Sequence, residues 1–153
     1  MNETRGATNL DQRVQAAQKG SLQAFNRLAA DYLDDVYTLA FSLTREEQAA
    51  LEVSQQALAA AYQGLKGLHE GSLRSWLLAK TIEVGRIRST RRPYLPVAIS
   101  ALQQKLEQIS EEYCLALLLV DVIGLNYEEA GWVTGCSAVE IGKRLAAARR
   151  HML

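Results

Sequence analysis

Two groups of cationic side chains carry the chemistry this sequence could do. The first is Lys80, Arg86, Arg88, Arg91 and Arg92, the densest basic stretch in the chain. Placed after a helix that bears an aromatic, Trp76, such a cluster suits a nucleic-acid backbone and unstacked bases. The simpler alternative is a charged helix end favoured by the macrodipole, with Trp76 in the core. The second group is Lys143, Arg144 and Arg149, on a segment that opens with Ser137 and Glu140. A carboxylate at the start of such a segment can accept from cytosine N4 in a groove, and it can equally serve as half of a capping box.

The elements that must position the second group are legible from residue 109 onward. Over Glu111 to Ile123 the apolar residues Leu115, Leu118, Leu119 and Val122 recur at the spacing of a helix with one buried face. Gly124 is the expected left-handed residue after it, since glycine enters that conformation without steric cost. Asn126 and Glu129 form a capping box for a short helix from Tyr127 to Thr134, which stops at Gly135. Ser137 and Glu140 form another, opening a helix with Ile141, Leu145 and Ala148 on one face and Lys143, Arg144 and Ala147 on others. Helix, glycine turn and cationic helix make the helix-turn-helix pattern, whose second member enters the DNA major groove.

These residues carry a resemblance. The run from Leu125 to Arg149 resembles region 4 of the extracytoplasmic-function (ECF) sigma factors of bacterial RNA polymerase. That family's pattern runs roughly G-x-S-Y-x-E-I-A, then G, then x-x-G-T-V-K-S-R-L-x-R-A-R. Gly124, Tyr127, Glu129, Gly135, Arg144, Leu145, Ala148 and Arg149 match it in register, with Ile141 in place of valine. Val139 and Glu140 replace the family's glycine-threonine, and Ala147 replaces an arginine. The front half is similar to region 2 of the same family. Ala16 to Leu28, then Tyr32, Val36, Tyr37, Leu39 and Ala40, resembles its opening helix. Glu52, Gln55 and Gln56 fall in its D-L-V-Q-E motif, Ala61 and Tyr62 in A-Y, and Leu73, Arg74, Trp76 and Leu77 in F-R-x-W-L.

The resemblance implies an all-α chain of two small helical domains without an active site of its own. It further implies that Glu52, Gln55 and Gln56 dock on core RNA polymerase, with a glutamine at 56 where the family has an acid. Trp76, Lys80, Arg86, Arg88, Arg91 and Arg92 would engage the −10 element of promoter DNA. Ser137, Glu140, Lys143, Arg144 and Arg149 would hold the −35 element. An anti-sigma factor is the further partner implied, and Trp132, where the family tends to be polar, is a candidate protein anchor or an inter-domain packing residue.

The totals set bounds. A chain of 153 residues, 48% hydrophobic, can bury one sizeable core or two small ones. Two prolines, with alanine and leucine throughout, favour an all-helical class. Its longest apolar run, Cys114 to Val120, is too short to span a bilayer, and no signal-peptide pattern is expected. Cys114 and Cys136 are expected as reduced thiols in a cytoplasmic setting, at no metal-ligand spacing with His69 or His151. No cofactor is expected. Adjacent acids (Asp34 and Asp35, Glu46 and Glu47, Glu128 and Glu129) point apart on a helix and come with no nucleophile, which argues against an enzyme.

The formal net charge is zero. Residues 1–100 hold 12 Lys and Arg against 10 Asp and Glu, and residues 101–153 hold 5 against 7, so the segment with the helix-turn-helix is net acidic at −2. DNA binding there must rest on local charge placement, because phosphate neutralisation supplies most non-specific affinity. We expect residues 1 to about 10 to be a frayed tail, 11–92 a region 2-like domain, 93–99 a short linker and 100–153 a region 4-like domain. Thr44 and Glu47 are expected to cap the helix running to about Leu68, Ser72 the helix carrying Trp76, and Gly85 to weaken that helix. The competing reading is a sigma-like regulator that kept the fold but binds a protein in place of DNA.

Overall fold

The computed structural model describes residues 12–68, 72–88 and 109–152. Arg91, Arg92, His69, the tail and the expected linker lie outside them. The front segment runs α1 (Gln12–Gln18), α2 (Leu22–Ala29), a 3-10 turn (Ala30–Tyr32), α3 (Leu33–Thr44), α4 (Glu47–Gln63), a second 3-10 turn (Leu65–Gly67) and α5 (Leu73–Arg88). The back segment runs α6 (Glu111–Leu117), a π-helical turn and a half (Leu118–Ile123), α7 (Tyr127–Thr134) and α8 (Ala138–Met152). No strand occurs among the described residues.

Helices α3, α4 and α5 pack on one another. What lets them approach is the small-residue face of α4, where Ala49, Ala50, Val53, Ala57 and Ala61 recur every three or four residues and are buried. Gly85 belongs to the same contact: a Cβ there would lie 2.7 Å from Leu43 Cδ1. It is therefore a packing residue of α5, where helix propensity alone marks it as a weakness.

The cap of α4 differs from the expected one. Thr44 ends α3 and turns its hydroxyl back to the Ala40 carbonyl at 2.9 Å. Arg45 then takes a left-handed backbone conformation, and α4 starts after Glu46 with no side-chain cap. The threonine is already committed to the helix before the turn. Ser72 does cap α5, accepting from the Ser75 N–H at 3.1 Å.

One buried cluster runs through both segments, from Phe25, Leu39 and Leu77 to Leu118, Ile141 and Leu145. Arg74 on α5 ties them at the surface. Its Nε donates to Asp35 Oδ2 at 2.9 Å and its Nη2 to the Ile123 carbonyl at 2.6 Å, where the π-helical segment ends and orphaned carbonyls need donors.

Candidate nucleic-acid and protein interface

The helix-turn-helix forms where the spacing predicts, with the first capping box complete and the second present as its Ser137 half. Asn126 Oδ1 accepts from the Glu129 N–H at 2.8 Å while Glu129 Oε1 accepts from the Asn126 N–H at 3.1 Å, a complete capping box. Gly124 and Gly135 take left-handed backbone conformations, with φ of 92° and 81°. Ser137 accepts from the Glu140 N–H at 3.0 Å and starts α8. The turn is closed so tightly that a Cβ on Gly131 would sit 2.5 Å from the Cys136 carbonyl oxygen.

On α8, Ile141, Leu145 and Ala148 are fully buried. At about 100° per residue the opposite side carries Val139, Lys143, Ala146 and Arg150, within about 60° of one another, and all four are exposed. Arg144 and Arg149 lie on the flanks of that stripe. Arg144 Nη2 is 3.6 Å from Glu112 Oε2, with 17% of its side chain exposed. Arg149 Nη2 is 2.6 Å from Asp121 Oδ1, and this pairing pushes the Arg149 pKa up from its ordinary value. Lys143 has no acidic partner among the described residues. The motif spacing thus finds Lys143, Arg144 and Arg149 but does not separate outward from flanking positions. Val139, Ala146 and Arg150 share the outward stripe with Lys143, a placement that appears only when the helix is projected from its buried face.

The other basic group shows the same pairing. Arg86 Nη1 approaches Glu111 Oε2 at 3.4 Å, across from α5 to α6. Lys80 Nζ lies 3.2 Å from Glu83 Oε2 and 4.5 Å from the centroid of the Trp76 ring. Arg88 pairs with Glu52 on α4, so two residues expected to face different partners face each other. The Arg88 guanidinium, helped by a hydrogen bond from Gln48, holds the Glu52 carboxyl below the usual glutamate range. Gln55 and Gln56 are exposed on α4.

Trp76 is half-buried. Its indole N–H donates to the Ala61 carbonyl at 3.0 Å and its ring lies 6.4 Å from that of Trp132, tilted by 47°. Trp132 retains 41% exposure, so it both packs between the segments and presents a face to solvent. Cys114 is buried and Cys136 half-buried, and no disulfide joins them. Among the described residues no cluster of His, Cys, Asp or Glu could hold a metal ion. No helix among the described residues is long and apolar enough to cross a membrane.

Capped, left-handed at both turns and cored on one side only, the back segment is a helix-turn-helix held against a helical front segment. No family model matches the sequence. Among curated proteins it is similar to the ECF RNA polymerase sigma factor SigE of Mycolicibacterium smegmatis, 23% identical over 159 residues and 88% of this chain. That alignment spans 62% of the SigE length. It is also similar to the RNA polymerase sigma-H factor of Pseudomonas aeruginosa, 24% identical over 90% of this chain and 89% of the relative. Among solved structures, CnrH in complex with the cytosolic domain of CnrY superposes with a TM-score of 0.75 at 20% identity, covering 92% of each chain. The sigma factor RpoE in complex with the anti-sigma factor NepR from Bartonella quintana superposes with a TM-score of 0.66 at 20% identity, over 86% of this chain and 95% of that one. In sequence this chain is similar to ECF sigma factors at 23–24% identity, and its fold is that of the two sigma-factor structures.

Proposed function

We propose that the chain is an ECF-type sigma factor that directs core RNA polymerase to specific promoters and initiates transcription there. The observation that carries this reading is the helix-turn-helix, N-capped at both helices, whose second helix buries Ile141, Leu145 and Ala148 and turns Lys143 to solvent. Such a helix can lie in the major groove with its opening residues at the base edges. Residues 11–92 would act as the region 2-like module and 100–153 as the region 4-like module, joined by 93–99. Glu52, Gln55 and Gln56 would meet polymerase, and the basic end of α5 the −10 element. The sigma factor itself contributes no chemistry and works in the cytoplasm.

A second reading draws on the ion pairs. Arg86, Arg88, Arg144 and Arg149 are each matched to a carboxylate of the same chain, which lowers the positive potential available to phosphates. Together with the solvent-facing side of Trp132 this suits a regulator whose partner is a protein of the anti-sigma class, as in the RpoE complex. Run-off transcription with purified core polymerase separates the two. The sigma reading expects specific transcripts that depend on this chain; co-purification with polymerase and no initiation would favour the regulator. No association with polymerase would discard the first reading.

A further inference from the structure

The four outward residues of α8 differ in what they can offer a groove. Lys143 brings a donor suited to guanine O6 and N7, and Arg150, at the far end, a cation suited to phosphate. Val139 brings neither donor nor acceptor. It stands in the first turn, 69% exposed, just after the Ser137 cap fixes where the helix begins. That is the part of a major-groove helix that meets base edges. Valine is also a poor helix former there, and among the described residues none buries it. Gly142, one turn on beside the stripe, adds no side chain that could stand in front of it. Of the groups displayed in the major groove, the C5 methyl of thymine is the apolar one.

We infer that Val139 is a specificity-determining residue that reads a thymine methyl in the upstream promoter element, next to the base contacted by Lys143. The inference rests on the proposed DNA-reading function and adds to it a position, a base and an atom. Covering one methyl group with the valine isopropyl is worth about a fourfold change in affinity, from the free energy of burying one such carbon. Arg144 and Arg149, held to Glu112 and Asp121 at the flanks, would contribute orientation and no base choice.

The test uses the full chain with purified core polymerase. Templates randomised over the upstream element are selected by transcription, and each thymine in the selected element is then replaced by uracil, which lacks only the methyl. One replacement should weaken initiation about fourfold with the unaltered chain and leave Val139→Ala indifferent. Val139→Thr, which keeps one methyl, should fall between. Because Val139 is exposed and alanine is the better helix former, neither variant should unfold below the temperature of the unaltered chain, checked by circular dichroism. A selected element without thymine, or uracil effects identical in the unaltered chain and Val139→Ala, would overturn the inference while leaving the sigma reading intact. Failure to select any template would overturn both.

Discussion

Arg88 and Glu52 form an ion pair between α5 and α4, joining a residue expected at promoter DNA to one expected at polymerase. The guanidinium stabilises the charged carboxylate, so Glu52 titrates below its usual range. A carboxyl with a lowered folded-state pKa adds stability that is present above its unfolded pKa and fades as pH falls through the folded one. Replacing Arg88 with Ala should move the Glu52 titration up toward the ordinary glutamate value, as read by carbon-detected NMR. An unchanged midpoint would mean that the pair does not persist in solution.

Asp121→Asn should release Arg149 from its 2.6 Å contact. Stability should change by under about 1 kcal/mol, as for exposed pairs in general. DNA binding should tighten, and the slope of log affinity against log salt should steepen by about one unit if the freed guanidinium takes a phosphate. Binding isotherms at several salt concentrations decide it.

Two glycine substitutions should behave differently although both sit in helices. Gly131→Ala drives a methyl to within 2.5 Å of a backbone oxygen in the turn, which cannot move without opening the helix-turn-helix. A loss of about 1–3 kcal/mol is expected in chemical denaturation. Gly85→Ala meets the end of a leucine side chain, and alanine returns about 1 kcal/mol of helix propensity, so the net change should lie within about 1 kcal/mol.

Trp76→Phe keeps the ring packing but loses the N–H bond to Ala61, at an expected cost of about 0.5–1.5 kcal/mol. A double-mutant cycle with Trp132→Ala should give a coupling near the lower end of about 0.5–1.5 kcal/mol, since Trp132 is partly exposed. Zero coupling would mean that the two rings do not rest on each other.

The local grammar of the back segment was readable because its signals are short-range. Gly124, the Asn126 and Glu129 box, Gly135 and the Ser137 cap each depend on residues three or four apart. Thr44 shows where that grammar fails: the same threonine can cap forward or bond back one turn, and only the close of α3 decides. The π-helical register of Leu118–Ile123 was likewise hidden, since its apolar spacing reads as an ordinary helix. Least legible were the acids set against each arginine. Glu52, Glu111, Glu112 and Asp121 are remote in sequence from their partners, so a charge count shows balance and says nothing of which cations are neutralised.

Arg74 uses both prongs of its guanidinium, one on a carboxylate of α3 and the other on the last π-helical carbonyl, a reach that the single ammonium of a lysine could not duplicate. While that clasp holds, the cationic end of α5 and the outward stripe of α8 stand a fixed interval apart, like the jaws of a locked caliper. If the chain reads promoters as proposed, a DNA target would have to match that interval or wait for the clasp to open, which would make the clasp a threshold for productive encounter.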